Sequence, residues 1–158
     1  MNELSQSAQR VQDTLHALGL PCQVKELPGS TRTAIEAAQA VNCQVGQIVK
    51  SLIFMGAESR RPILIIASGV NRVNEKQIAS LIGEQILKAD ADFVRNHTGY
   101  AIGGVPPVGL AETVLTLIDE DLLTYPTVWA AAGTPHAVFE LNPGELPRMT
   151  GGRIVKIN

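Results

Sequence analysis

The sequence predicts a single α+β domain over residues 1–158, built on a mixed β-sheet of six or more strands flanked by helices. Helical patterns alternate with short apolar runs rich in β-branched residues, but without the strict strand–helix–strand order of parallel α/β proteins. No internal repeat, low-complexity tract or linker divides the chain. Aromatic residues make up only 4% of it, so we expect a core of Ile, Val, Leu and Ala.

The first elements are a helix, a short strand and a second helix. Residues 3–18 place apolar side chains three and four positions apart, and Gly19 provides a typical helix end. Residues 22–27 follow as a short strand. Thr33, with a glutamate three residues later, forms a capping box that starts a helix over 34–41.

Two longer strands come next, and the second is predicted to be central in the sheet. Residues 46–55 are apolar and rich in β-formers, except for one lysine. In residues 62–69 both sets of alternating positions carry apolar side chains, which is typical of a strand buried on both faces. Asn74 then caps a helix that ends at Gly83.

The remaining chain adds a short strand at 84–89 and a short helix at 90–99, followed by an irregular segment at 100–112. This segment contains too many glycines and prolines for a regular element. Residues 142–149 are predicted to form a helical turn. Four further apolar runs are predicted strands: 113–119, 128–133, 137–141 and 153–157.

Charge and composition exclude some classes of protein. The formal net charge of −2 argues against a large surface that binds the phosphates of DNA or another nucleic acid. It allows contact with only the end of a nucleic-acid strand. The apolar runs are far shorter than the ~20 residues that a bilayer requires, and no signal-peptide pattern is present. Five basic residues could be solvated surface charges or could contact the end of a nucleic acid: Arg60, Arg61, Arg148, Arg153 and Lys156.

The two cysteines point to the cell interior. Cys22 and Cys43 have neither metal-ligand spacing nor a Cys-x-x-Cys arrangement. We therefore expect two reduced thiols and a cytoplasmic protein.

Lys50 is the most informative residue of the sequence. It lies in the middle of the apolar strand predicted at 46–55. An unpaired ammonium among apolar side chains would cost several kcal/mol, so it must reach a carboxylate, water or a ligand. Two interpretations stay open: a lysine that extends to solvent at a sheet edge, and a lysine in a cleft that binds an anionic or carbonyl-bearing ligand.

Two loops are further candidates. Residues 103–109 read Gly-Gly-Val-Pro-Pro-Val-Gly, a stiff loop whose backbone groups could face a ligand, although a structural turn is equally compatible. His136 follows a predicted strand end, where functional side chains often lie, but a structural histidine is as compatible with the pattern.

Standard catalytic and metal-binding motifs are absent from the sequence. It has no Gly-x-Ser-x-Gly elbow, no His-Glu-x-x-His and no zinc spacing. Asp90 and Asp92, and the run from Asp119 to Asp121, are interpreted as solvated or capping carboxylates.

Four segments together resemble one known family. They are VKSLIF at 49–54, IASGVNRVNEKQI at 66–78, GYAIGGVPPVG at 99–109 and AAGTPHAVFELNP at 131–143. The chain resembles the YbaK/ProX aminoacyl-tRNA deacylases, which are similar to the editing domain of bacterial prolyl-tRNA synthetases. The resemblance covers residues from about 20 to 156. It implies a strongly curved sheet, and hydrolysis of the ester that joins a wrong amino acid to the 3′ end of tRNA.

The resemblance also implies roles for particular residues. Lys50 matches the lysine regarded as essential, and no cofactor or metal is implied. His136 matches a pocket histidine found in some branches. The other residues implied in substrate binding are Gly103, Gly104, Val105, Pro106 and Gly109 of the loop, and Arg32 and Thr33 of the stretch that lines the amino-acid pocket.

The partners implied are the acceptor end of a mischarged tRNA and, as an open alternative, an aminoacyl-tRNA synthetase, without membrane contact. The amino acid removed stays open among alanine, serine, threonine and cysteine. Two other functions also stay open: a silent module that binds tRNA or a synthetase, and a small-molecule hydrolase or nucleotide-binding protein that uses the same lysine.

Overall fold

The computed structural model describes residues 4–31 and 33–158. The helices are α1 (Gln6–Ala17), α2 (Ala34–Val41), α3 (Glu75–Ile82), α4 (Ala91–Thr98) and α5 (Leu146–Thr150). The strands are β1 (Val24–Glu26), β2 (Val49–Gly56), β3 (Pro62–Ser68), β4 (Ile86–Lys88), β5 (Leu115–Asp119), β6 (Val128–Ala131), β7 (Ala137–Leu141) and β8 (Arg153–Val155).

The caps expected from the sequence form as predicted. Thr33, Asn74 and Asp90 accept hydrogen bonds from the first-turn amides of α2, α3 and α4. Gly83 and Gly99 end α3 and α4 in the left-handed region. The helical turn predicted at 142–149 is a 3₁₀ turn at Pro143–Glu145 that continues into α5. Local sequence signals therefore predict the helices well.

The prediction of one strongly curved sheet of six or more strands is wrong. The eight strands of the described residues divide into a three-stranded sheet, in the order β1-β7-β6, and a five-stranded sheet, in the order β4-β2-β3-β5-β8. The smaller sheet is antiparallel, and the larger is mixed because β3, β5 and β8 run parallel. One bridge, between Ile48 and Trp129, links the sheets. Apolar patterns identify strands but not their partners, which explains the error.

The five-stranded sheet is the middle layer of the molecule. Its first face packs on α1 and on the three-stranded sheet, in a cluster that includes Val11, Ile66 and Phe139. Its second face packs on α3, in a cluster that includes Ile65 and Ile78. β3 is buried at all seven positions, which confirms its prediction as a central strand.

The outer edge of β2 is left partly open. β3 pairs with β2 from Val49 to Met55, but β4 covers only Phe54–Gly56 on the other side. Between the bridge at Ile48 and β4, no described strand pairs with this edge. Among the described residues no helix is long and apolar enough to cross a membrane.

Candidate functional site

Lys50 lies in β2, half-buried, on the face of the sheet that packs against α3. Its ammonium Nζ donates a hydrogen bond to the backbone carbonyl oxygen of Asn71 over 2.8 Å. Burial and the Arg72 guanidinium lower the pKa of Lys50 from its ordinary value, and the Asp119 carboxylate opposes this change. The lysine is therefore held in a cleft and does not extend into bulk solvent.

The residue that holds Lys50 is itself fixed by two carboxylates. The side-chain amide of Asn71 donates to Asp119 Oδ2 over 2.9 Å and to Asp121 Oδ2 over 2.7 Å. Asp119 is buried and also accepts the backbone N–H of Ser68. This network connects the end of β3 to the end of β5 and gives the Asn71 carbonyl a defined position beside Lys50.

Sequence analysis did not single out Asn71, and it interpreted Asp119 as a solvated or capping carboxylate. Asp119 does cap a 3₁₀ turn, by accepting the N–H of Asp121 at 2.9 Å, but it is buried rather than solvated. The only sequence signal was an acidic residue at the end of a predicted strand, directly after Leu117 and Ile118. Its partner is 48 positions away, so no local pattern could reveal the contact.

Two adjoining cavities lie at the open edge of β2. One has a volume of about 200 Å³ and the other about 490 Å³; we call them the smaller cavity and the larger cavity. Both are lined by the same six residues, which form their shared wall: Lys50, Ser51, Leu52, Ile102, Gly103 and Val105. Lys50 therefore borders both spaces, together with the glycine–proline loop.

The smaller cavity is walled mainly by small and aliphatic side chains. α2 contributes alanines and Val41, and β6 contributes Trp129 and two further alanines. Thr31 and Thr33 add hydroxyl groups to this lining. The Thr31 hydroxyl donates to the Pro135 carbonyl oxygen over 2.7 Å, and Thr33 caps α2. The space suits a small, mostly apolar group.

The larger cavity combines cations with an apolar surface. Lys50, Arg72 and Lys88 contribute positive charge, and Glu75 is the one carboxylate among its described lining residues. Its apolar part includes Phe54. This composition suits a ligand that carries negative charge on one side and a flat apolar group on the other.

The glycine–proline loop reaches the cavities through Gly103 and Val105. Gly103 has φ of +91°, a conformation that favours glycine. Gly104 does not line a cavity; its carbonyl oxygen accepts the N–H of Gly133 at 2.9 Å. A Cβ on Gly104 would lie 2.8 Å from the Thr134 Cα, so this contact requires glycine.

Two other loop residues that the resemblance implied in substrate binding, Pro106 and Gly109, lie outside the cavity linings. Pro106 is buried and lines neither cavity. Gly109, with φ of +69°, packs against the Thr14 side chain of α1. They support the loop and do not contact the cavities.

His136 lies outside both cavity linings, whereas Thr33 is in the smaller one. The imidazole of His136 is exposed, and its Nδ1 is 3.0 Å from the carbonyl oxygen of Gly29. Since a carbonyl oxygen only accepts, Nδ1 carries the proton in this contact. A role for His136 in substrate binding stays a prediction. Arg32, the remaining predicted residue, lies outside the described residues.

Ser51 is a second neighbour of the site that sequence analysis did not single out. Its Oγ is buried and has no hydrogen-bond partner among the described residues. A buried unpaired hydroxyl costs about 1–3 kcal/mol, so its position beside Lys50 requires a specific explanation. Among the described residues, no group of three or more His, Cys, Asp or Glu side chains could hold a metal ion.

Comparisons with known proteins agree with this geometry. The model of the aminoacyl-tRNA editing domain family matches residues 29–149. The crystal structure of a proposed trans-editing enzyme for prolyl tRNA synthetase superimposes with a TM-score of 0.92, at 48% identity over 99% of both chains.

Two curated relatives are similar in sequence. The uncharacterized protein YwhH of Bacillus subtilis (strain 168) is 32% identical over 131 residues, which are 83% of each chain. The proline–tRNA ligase of Limosilactobacillus fermentum is 32% identical over 102 residues, which are 62% of this chain and 18% of the ligase. The chain therefore belongs to the aminoacyl-tRNA editing domain family.

Proposed function

We propose that the protein is a trans-editing aminoacyl-tRNA deacylase, which hydrolyses the ester of a mischarged tRNA. The observation that carries this proposal is the position of Lys50 and Gly103 in the wall between two cavities. An aminoacyl ester has an amino acid on one side and a nucleoside on the other. A catalytic group that acts on the ester bond should therefore lie between a smaller space for the amino acid and a larger space for the nucleoside.

The smaller cavity is proposed to hold the amino-acid side chain. Its volume of about 200 Å³ is below the ~300–1,000 Å³ of typical small-molecule sites, so it fits only part of a ligand. Its alanine-rich lining supports a small amino acid such as alanine, serine, threonine or cysteine. Thr31 and Thr33 hydroxyls in the lining supply polar contacts.

Lys50 is proposed to stabilise the negative charge that develops on the ester carbonyl oxygen. Water attacks the carbonyl carbon, the C–O bond to the ribose breaks, and the ribose oxygen takes up a proton. The ester is already activated, so positioning and charge stabilisation supply most of the catalysis. Backbone groups of Gly103 and Val105 would orient the ester and the water.

Similarity to a proposed trans-editing enzyme for prolyl tRNA synthetase supports a tRNA of the prolyl system as the substrate. A synthetase partner is part of the same proposal. Charging of tRNA takes place in the cytoplasm, so the proposed function assigns the protein to that compartment.

Hydrolysis of a panel of mischarged tRNAs by the wild type and Lys50→Ala tests the proposal. Loss of a charge-stabilising donor typically costs about 10²–10³ in rate, so we expect kcat to fall by about that factor. Lys50→Arg should also be poor, because a planar guanidinium is larger and differently hydrated. Lys76→Ala, which removes an exposed lysine of α3 outside both linings, is the matched control.

Two outcomes would contradict the proposal. Hydrolysis by Lys50→Ala at the wild-type rate would exclude the assigned role of the ammonium. Tight tRNA binding by the wild type without turnover on any mischarged tRNA would identify a binding module instead.

A further inference from the structure

Asn71 uses both hydrogens of its side-chain amide to connect the end of β3 with the end of β5. Its Nδ2 donates to Asp119 Oδ2 over 2.9 Å and to Asp121 Oδ2 over 2.7 Å. An asparagine amide nitrogen has two N–H donors, so each carboxylate accepts one of them. The opposite orientation would place the amide oxygen against two carboxylates, so these contacts fix the orientation of the amide group.

Asp119 is the buried anchor of this network. Its side chain also accepts the backbone N–H of Ser68 at Oδ2 and that of Asp121 at Oδ1, each over 2.9 Å. The residue is only 1% exposed, and a buried carboxylate is stable only where such donors surround it. This one carboxylate therefore holds both ends of the turn at residues 68–71, at Ser68 and at Asn71.

The same turn is held from the side of β2. Ser68 Oγ donates to the Gly46 carbonyl oxygen over 2.7 Å, and the Gly69 N–H donates to the Ile48 carbonyl oxygen over 2.8 Å. Within the turn, the Asn71 N–H donates to the Ser68 carbonyl oxygen over 3.0 Å. The backbone carbonyl of Asn71 thus belongs to a segment that contacts within the protein alone keep in place.

This carbonyl oxygen accepts a hydrogen bond from the Lys50 ammonium over 2.8 Å. An ammonium has three N–H donors, and among the described residues the other two have no acceptor. Lys50 lines both cavities, so these two donors are available to a ligand. Because the four-carbon stem of lysine is flexible, a fixed acceptor determines where the charge lies.

We propose that Asn71 is a positioning residue: its side-chain amide, held by Asp119 and Asp121, fixes the backbone carbonyl that keeps the Lys50 ammonium at the wall between the two cavities. The consequence for catalysis rests on the proposed function, in which Lys50 stabilises charge on the ester carbonyl oxygen. Asn71 also lines the larger cavity, so the test must separate positioning of Lys50 from direct contact with the substrate.

Kinetics of Asn71→Ala on a mischarged tRNA make this separation. Alanine keeps the backbone carbonyl but removes the amide that fixes it, and a misplacement of about 1 Å can cost ~10²-fold in rate. We expect kcat to fall at least about tenfold and KM to stay within about twofold. A raised KM with unchanged kcat would identify Asn71 as a substrate-binding residue and would overturn the inference.

Asn142→Ala is the matched control for this variant. Asn142 Oδ1 accepts the Gly144 N–H over 2.9 Å, so its removal also costs a side-chain hydrogen bond, but the residue lies outside both cavity linings. Its kcat should equal that of the wild type. An equal fall of kcat in the two variants would overturn the assignment to Asn71.

Two substitutions of Asp121 separate position from charge. Asp121→Asn keeps a side-chain oxygen that can accept the Asn71 amide, whereas Asp121→Ala keeps none. The conservative variant should therefore have a kcat at least about fivefold higher than that of Asp121→Ala. Equal losses would show that the charge of Asp121, and not the position of Asn71, affects the rate, and would contradict the proposed role.

A double-mutant cycle excludes a general structural effect. If Asn71 acts through Lys50, Asn71→Ala should lower kcat no further when Lys50 is already alanine. An effect that came from a weakened fold would lower kcat by the same factor in both backgrounds and would overturn the inference. If Asn71→Ala does not fold, Asp121→Ala takes its place in the cycle.

Chemical labelling of lysines gives a readout that does not need catalysis. The probe is N-hydroxysuccinimide acetate, and mass spectrometry measures how fast each lysine is acetylated. The hydrogen bond to the Asn71 carbonyl stabilises the protonated form of Lys50, which does not react, so Lys50 should be labelled severalfold faster in Asn71→Ala. Lys76, which is exposed on α3, should be labelled at the same rate in both proteins.

The failure of this inference and the failure of deacylation are distinguishable. Faster labelling of Lys50 in Asn71→Ala, in a protein that hydrolyses no mischarged tRNA, would support the positioning role and overturn the proposed function. Equal labelling of Lys50 in the two proteins would overturn the positioning role, whether or not the wild type is a deacylase.

Discussion

At the scale of single residues, Lys50 shows how a charge is kept inside an apolar strand. The sequence identified the problem, a cation among large apolar neighbours, and left two solutions open. The structure has the ammonium 2.8 Å from the Asn71 carbonyl oxygen and in the wall of both cavities. The contact that fixes it depends on Asp119, which is distant in sequence, so residue patterns alone could not predict it.

The charge of Asp119 should determine how the activity of Lys50 depends on pH. Burial and Arg72 already lower the pKa of Lys50 below its ordinary 10.5, and Asp119 raises it in part. In Asp119→Asn the pKa should fall further, so the loss of activity on the basic side should begin at lower pH. The measurement is the pH dependence of kcat/KM in both proteins.

A purely structural effect of Asp119→Asn would look different. The variant also weakens the bond to the Ser68 N–H, which should cost about 1–3 kcal/mol of stability. If Asp119 only supported the fold, the rate would fall by the same factor at every pH. An unshifted basic limb would therefore rule out the electrostatic effect.

At the scale of elements, the open edge of β2 creates the site. The Gly56 N–H donates to the Arg61 carbonyl oxygen, so residues 50, 52, 54 and 56 direct their backbone groups to β3. Ser51 and Ile53 therefore direct theirs outward, to the edge where the cavities lie. A strand paired along its whole length would offer no such backbone groups, and the short β4 leaves this part of β2 uncovered.

The glycine–proline loop should be sensitive to substitution at Gly104, although this residue lines no cavity. A Cβ there would meet the backbone of Thr134 at 2.8 Å and must push the loop away from it. We expect Gly104→Ala to lose about 1–3 kcal/mol of stability and to lower kcat/KM, because Gly103 and Val105 move with the loop. Urea unfolding and kinetics measure the two effects.

Gly29→Ala is the matched control for this loop variant. A Cβ added to Gly29 would have no atom within 4 Å, and the residue has no positive φ, so the substitution should be neutral. Equal effects of the two substitutions would show that the Gly104 contact does not support the loop.

At the scale of the whole molecule, the site belongs to neither sheet alone. β2 of the larger sheet supplies Lys50, the segment after β3 supplies its partner Asn71, and β6 of the smaller sheet supplies Trp129 and Ala130. The helices and strands were predictable because caps and apolar periodicity are local. The division into two sheets was not, because it depends on which strands pair across long separations in sequence.

The continuous core between the sheets should make them unfold together. One apolar cluster joins residues of the larger sheet, such as Ile66, to residues of the smaller sheet, such as Phe139. Native-state hydrogen exchange should therefore give the same maximal opening free energy for the amides of β3 and β7. A value for β7 lower by more than about 1 kcal/mol, above the error of the method, would show that the small sheet opens by itself.

Trp129 gives the smaller cavity a natural optical label. It is the only tryptophan of the chain, its indole lines that cavity, and the Lys25 ammonium is 5.5 Å from the ring centroid. A ligand group that displaces water from the indole should change the wavelength and intensity of its emission. Amino-acid analogues could thus be screened by intrinsic fluorescence, without a dye and without any charged tRNA.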